Sequence, residues 1–225
     1  MFPKRKILLS ALLIVCIWGS GYTQITLPPF WNDVQAFKKA DSIHPPAKHP
    51  ILLIGSSSFT KWKDVQEYFP QSTFLNRAFG GSTLLDLIRY HEDIVDPYYP
   101  AQILIYCGEN DFASNDSVSV EMVVERFIRL FKLIRKKYHR VPVVYVSMKP
   151  SPSREKLLPK YEMANERIAA FLQSKKHATF VDVYSKMFST DHKILEDIYL
   201  ADRLHMNAKG YAIWQKILEP VIIKN

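Results

Sequence analysis

Ile51-Leu52-Leu53-Ile54-Gly55-Ser56-Ser57-Ser58 runs four apolar residues, without a polar break, into a glycine and three hydroxyls. A strand with one face in water alternates apolar and polar side chains. One that is apolar on both faces belongs inside a parallel sheet with helices packed on each side. Prolines at 45, 46 and 50 bar a helix from running into this stretch, so the strand begins cleanly. The hydroxyls then fall at its carboxyl end, the edge where open parallel sheets bind their ligands.

Outward from this strand, helical and extended patterns alternate. Upstream, Trp31, Val34, Phe37 and Ala40 recur at helical spacing. Downstream, helix-spaced Trp62, Val65, Tyr68 and Phe69 precede a short strand at Thr73 to Leu75, and Leu84, Leu87, Ile88 and Ile94 precede a strand at Ile103 to Tyr106. Val123, Phe127, Leu130, Phe131 and Ile134 lead to the strand Val143 to Val146, and Ile168, Phe171 and Leu172 lead to Phe180 to Val183. Tyr211, Trp214, Leu218 and Val221 form a last helix. Five strands alternating with helices predict an α/β fold with a five-stranded parallel sheet, since right-handed crossovers place helices on both faces. Neither a repeat nor a linker divides the chain.

At 225 residues, 48% of them hydrophobic, the length suits one domain that buries roughly 70–75% of its unfolded surface. The net charge is +8, of which Lys4, Arg5 and Lys6 carry three, leaving 8 − 3 = +5. That is a mild bias, and no basic run is interleaved with aromatics as a nucleic-acid groove requires, so no nucleic-acid partner is expected. Lys4-Arg5-Lys6, the apolar run Ile7 to Trp18 and the small residues Gly19-Ser20-Gly21 have the order of an export signal. Residues 1–21 are therefore read as a signal peptide or an N-terminal membrane anchor, with a buried helix as the remaining option. The run is short of the roughly 20 residues that span a bilayer. Cys16 lies within it, but bulky Val15 stands where a lipid-attachment site wants a small residue. Residues 22–46 are a helical lead-in and 47–225 the main domain, exported or held at the membrane by the leader. Cys107 is left alone in the mature chain and is read as a small buried side chain.

Four loops at the carboxyl edge carry the chemistry-bearing residues: Gly55 to Thr60, Asn76 to Thr83, Gly108-Glu109-Asn110-Asp111, and Asp202-Arg203-Leu204-His205. Asp202 and His205, three apart on a turn, share a face, so the carboxylate can hold one ring nitrogen and leave the other to accept a proton. An Asp-held histidine needs a hydroxyl beside it and donors for an oxyanion. Ser56, Ser57 and Ser58 are equal candidates on physical grounds, and each loop taken alone reads as an ordinary turn or cap.

Together, in this order, the four blocks resemble the SGNH, or GDSL, hydrolase family, from about Ile51 to Tyr211. The resemblance implies a three-layer α/β/α sandwich with flavodoxin-like strand order and cofactor-independent ester hydrolysis. It places the nucleophile on Ser57, with Ser56 where the family commonly has aspartate. It makes Asp202 and His205 the other two members of a catalytic triad. Its oxyanion hole falls on the N–H groups of Ser57 and Gly81 and the side-chain amide of Asn110. Asp111 and Asn76 are read as loop-shaping neighbours, and Glu109 as either lining the pocket or facing water.

Arg129, Lys132, Arg135, Lys136, Lys137 and Arg140 alternate with one helix's apolar stripe and are read as a solvated face. No Cys or His pair has metal-ligand spacing, and Gly80-Gly81 lacks the dinucleotide fingerprint, so neither metal nor cofactor is expected. Phe112 to Ser117, Lys149 to Lys160 and Ser189 to Ala201 would shape the pocket. Their mixed polarity and the export signal favour a short-acyl ester, on a carbohydrate or a small lysolipid-type molecule. Two other readings use the same fold: a membrane-tethered O-acyltransferase working through Ser57, and a catalytically silent carbohydrate-binding homologue.

Overall fold

The computed structural model describes residues 26–225. The leader expected at 1–21, Cys16 included, lies outside them. After helix α1 (Trp31–Ile43) the chain runs β1 (Ile51–Gly55), α2 (Ser57–Thr60), α3 (Val65–Tyr68), β2 (Phe74–Asn76), α4 (Leu84–Ile94), β3 (Gln102–Tyr106), α5 (Glu109–Ser114), α6 (Val120–Lys137), β4 (Val143–Val146), α7 (Leu158–Gln173), β5 (Ala178–Val181) and α8 (Ala208–Leu218). All five strands are parallel, in the order β2-β1-β3-β4-β5, the flavodoxin-like arrangement with β1 inside the sheet. Its register sets Leu53 beside Asn76 on one side and Leu104 on the other.

The apolar run at 51–54 is explained by two cores. Leu52, Ile54, Ile103, Ile105, Val143 and Tyr145 point to the face covered by α1, α4, α6 and α7. Ile51, Leu53, Leu104, Tyr106, Val144 and Val146 point to the face covered by Trp62 and by Tyr211, Trp214 and Leu218 of α8. Alternate residues serve opposite layers, so none can be polar. Each such aliphatic side chain contributes about 1.5–3 kcal/mol by burial.

Helix starts follow local chemistry. Thr83 and Asp86 form a reciprocal capping box at α4, Ser119 caps α6, and Asn207 caps α8 through Oδ1. Arg135, Lys136 and Lys137 close α6, where cations suit the negative end of the helix. The basic run is mostly exposed as expected. Arg135 is the exception: its guanidinium donates to the Val141 carbonyl at 2.6 Å and the His177 carbonyl at 2.5 Å, closing the α6 end against β5.

Three expectations need correction. The helical pattern expected from Trp62 to Phe69 shrinks to the single turn of α3, Val65–Tyr68; Trp62 lies ahead of it and is packed inward, stacked on Tyr211 at 4.9 Å. The fifth strand starts at Ala178 and ends at Val181, two residues early; it is an edge strand, half exposed, so apolarity does not mark its start. Val183 has already left the ladder, its N–H donating to Ser147 Oγ. Strand β2 is likewise shifted by one residue, for the same reason.

Candidate active site

Ser57 stands at the first position of α2, directly beyond β1. The turn into it depends on Gly55, at φ 138°: a Cβ there would lie 1.9 Å from the Tyr106 carbonyl oxygen. Only glycine lets β1 and β3 approach so closely while the chain swings upward. One turn of helix is marginal alone, and tertiary bonds hold this one. Asn76 Nδ2 donates to the Phe59 carbonyl at 2.7 Å, and the Tyr211 hydroxyl donates to the Ser58 carbonyl at 2.8 Å. Asn76 Oδ1 also accepts from the Ala78 N–H, so it shapes the loop as expected.

His205 is carried by the loop before α8. Leu200 N–H donates to the His205 carbonyl at 2.8 Å, and Asn207, the α8 cap, donates to the Asp197 and Tyr199 carbonyls. Within the turn, Arg203 adopts a left-handed φ of 55°, and the N–H groups of Leu204 and His205 both donate to Asp202 Oδ1, at 3.0 and 2.9 Å. This leaves Asp202 Oδ2 for the ring: His205 Nδ1 lies 2.6 Å from it, and Nε2 lies 3.0 Å from Ser57 Oγ. Ser57, Asp202 and His205, the first and last of them 148 positions apart in sequence, thus form one continuous chain of hydrogen bonds. Partial burial pushes the Asp202 carboxyl up, but the His205 ring, the two N–H donors and the imidazole charge outweigh it. The carboxyl is held well below the usual carboxylate range.

The expected oxyanion donors are the N–H groups of Ser57 and Gly81 and the Asn110 amide. Ser57, as the first residue of a helix, has an N–H with no partner inside that helix. Gly81 sits at φ 87°, a conformation that favours glycine, and neighbouring Gly80 is so placed that a Cβ on it would be 3.8 Å from Ser57 Cβ. Asn110 Nδ2 donates to Ser56 Oγ at 2.6 Å and to the Ser82 carbonyl at 3.0 Å. At rest, then, both amide hydrogens have protein partners, and an oxyanion would share the one now on Ser56. The Ser56 hydroxyl is therefore an acceptor for Asn110. Asp111 is fully buried, accepting from the Leu84 N–H at 2.9 Å and Arg126 at 2.7 Å; burial pushes its carboxyl up, against those two donors. It ties α5 to α4 and α6.

Glu109 is resolved by the structure: it is 7% exposed and does not face water. Its carboxylate lies 3.6 Å from the Lys149 ammonium, an ion pair too long for a good hydrogen bond. Lys149, 1% exposed, donates to the Leu204 carbonyl at 2.8 Å, and its ammonium lies over the Tyr199 ring. Burial lowers the pKa of Lys149, with Glu109 acting against it. The lysine comes three residues beyond the apolar strand β4, the one sequence cue that it is inside. Arg154, in the loop expected to shape the pocket, has a partner the sequence did not show: its Nη2 donates to Asn110 Oδ1 at 2.9 Å. Cys107 is buried, as expected, and burial raises its thiol pKa well above normal. Among the described residues no group of three or more His, Cys, Asp or Glu is placed to hold a metal ion. No described helix is long and apolar enough to cross a membrane. A cleft of about 400 Å³ bordered by Asp41, Lys48, His49, Tyr98 and Tyr99 contains none of the site residues.

Comparison with known proteins adds the following. The model of the GDSL-like lipase/acylhydrolase family matches residues 54–213. No curated protein sequence matches the chain. Among solved structures, a GDSL-like lipase of Bacteroides thetaiotaomicron superposes with a TM-score of 0.72 at 19% identity, over 84% of this chain and 96% of its own. A Bacteroides fragilis chain assigned to the acylhydrolases gives 0.73 at 22%, over 85% and 96%. An acetylxylan esterase of Geobacillus stearothermophilus gives 0.62 at 13%, over 78% and 95%. At such identities the likeness is one of fold.

Proposed function

The chain belongs to the GDSL-like lipase/acylhydrolase family, an ester-bond hydrolase by that membership, and from this premise we propose a serine esterase that cleaves short-chain carboxylic esters through an acyl-enzyme on Ser57. The observation that carries the reading is the 3.0 Å contact between Ser57 Oγ and His205 Nε2, with Asp202 on the other ring nitrogen. His205 takes the Ser57 proton as Oγ attacks the ester carbonyl, and Asp202 keeps the ring in the tautomer that can accept it. The tetrahedral oxyanion is met by the N–H groups of Ser57 and Gly81 and by the Asn110 amide, each donor contributing about 3–4 kcal/mol in the transition state. Collapse expels the alcohol, which takes the proton from His205. Water then attacks the acyl-enzyme with His205 as base again, and Ser57 is regenerated.

For the substrate, the polar pocket loops support a small acyl group, an acetyl ester of a carbohydrate or a lysolipid-type ester. The fold shared with an acetylxylan esterase is in keeping with the first. The basic start and apolar run at 4–18 support an enzyme that is exported, or tethered at the membrane by that segment. Ser57→Ala is expected to abolish p-nitrophenyl acetate hydrolysis and labelling by a fluorophosphonate while the melting curve is kept. Undiminished turnover by the purified variant would overturn the assignment. An acyl-length series tests the substrate reading, which fails if long-chain esters are strongly preferred to acetyl.

A further inference from the structure

The loop after β4, residues 149–154, contributes no member of the proposed triad or oxyanion hole, yet it bonds to both halves of the site. On the base side, Lys149 Nζ donates to the Leu204 carbonyl at 2.8 Å, and Ser153 N–H donates to the Arg203 carbonyl at 3.1 Å. On the oxyanion side, Arg154 Nη2 donates to Asn110 Oδ1 at 2.9 Å. Its backbone is fixed for the purpose: Arg154 N–H donates to the Ser151 carbonyl, and a non-helical φ, ψ of −124°, 25° interrupts the surrounding 3₁₀ turns.

We infer that Arg154 is a positioning residue for the oxyanion hole, orienting and polarising the Asn110 amide; this rests on the proposed role of Asn110. A guanidinium can only donate, so the amide oxygen must face it and the NH₂ must face Ser56, Ser82 and the hole. Ser82 contributes to the same orientation, since its carbonyl can only accept. Ser56 cannot, because a hydroxyl serves equally as donor or acceptor. What Arg154 adds is charge. A charge-assisted bond at Oδ1 draws electron density from the amide nitrogen and makes its N–H the stronger donor. That matters most when the oxyanion forms and competes with Ser56 Oγ for the hydrogen, so the benefit belongs to the transition state and not to substrate binding.

The test is a double-mutant cycle in p-nitrophenyl acetate hydrolysis with Arg154→Met, Asn110→Ala and the double variant. Removing an oxyanion donor typically costs about 10²–10³ in kcat. Arg154→Met, acting through that donor, is expected to cost on the order of tenfold in kcat with KM within about twofold, and to cost nothing further when Asn110 is already alanine. Arg154→Lys recovers part of the loss, keeping the charge without the planar fork, and serves in place of the methionine variant if that does not fold. A wild-type kcat in Arg154→Met, a loss confined to KM, or the full loss repeated in the Asn110→Ala background overturns the inference; the last would place Arg154 on the substrate. Asn110→Ala with undiminished kcat also overturns it. Ser57→Ala, run in parallel, reports separately on the esterase reading.

Discussion

Replacing Lys149 by methionine isolates the ion pair that lies beneath the site. The substitution keeps volume and removes the ammonium, so the Glu109 carboxylate, 7% exposed, is left charged in the interior with its 3.6 Å partner gone. The Leu204 carbonyl also loses its 2.8 Å donor. Breaking one side of a buried pair typically costs about 3–5 kcal/mol, mostly the desolvation of the abandoned charge. For a chain of this length, 1 kcal/mol moves Tm by about 2–4 °C, so Lys149→Met is expected to melt about 6–20 °C below wild type. The informative partner is Lys149→Met with Glu109→Gln. Removing the second charge removes most of the desolvation cost, so the double variant should regain stability and the two losses should not add. Thermal melts by circular dichroism and urea midpoints read this directly. A Lys149→Met variant within about 1 kcal/mol of wild type, or a double variant whose loss is the sum of the singles, refutes the reasoning; it would mean that water reaches the pair and screens it.

Other consequences are simpler to state. Asp202→Asn keeps the turn's shape but leaves His205 free to take the wrong tautomer, and kcat is expected to fall about 10²–10⁴-fold in ester assays. Because the Asp202 pKa is depressed on folding, its contribution to stability is present above the ordinary aspartate range near about 3.9 and is lost as pH falls through the folded value. Urea midpoints of wild type and Asp202→Asn should therefore converge only in strong acid. Tyr98, buried and donating to Asp41 while accepting from Arg77, has its phenol pushed up to about 12, first by burial and then by Asp41. The unfolded phenol ionises near about 10, so the stability gap between wild type and Tyr98→Phe should narrow by about 1 kcal/mol between pH 10 and 11. Gly55→Ala forces a Cβ into the Tyr106 carbonyl and should cost more than about 3 kcal/mol, seen as loss of soluble protein or a collapsed melting temperature.

What could be read from the sequence was what burial and turn chemistry impose locally. The central strands β1, β3 and β4, buried on both faces, are legible to within a residue or so because nearly every position is apolar, the buried Gln102 at the start of β3 being the exception. The edge strands β2 and β5 are half exposed, which blurs their ends. Asp202 and His205 are visible as a pair because their geometry is set within one turn. Ser57 is different. Nothing in Ser56-Ser57-Ser58 distinguishes the three hydroxyls; what does is the upward swing at Gly55, set by the approach of β3 through Tyr106, and that is a tertiary fact.

The residues left unread share a second property: their partners are backbone carbonyls or amides far away in sequence. Lys149 bonds the carbonyl of Leu204, Ser153 that of Arg203, and Arg154 the amide oxygen of Asn110. For Lys149 and Ser153 the acceptor is a backbone carbonyl, present at every residue, so the bond imposes no residue type on its partner and leaves no paired signal in the chain. Only the donor side carries information, as a lysine three residues beyond the apolar strand β4. That placement is costly unless something awaits the charge, since an unpaired ammonium in a dry interior would shed its proton. The cost itself is informative: a buried charge implies a buried partner. Here the partner is Glu109, the neighbour of Asn110, so the pair joins the loop after β3 to the loop that carries His205.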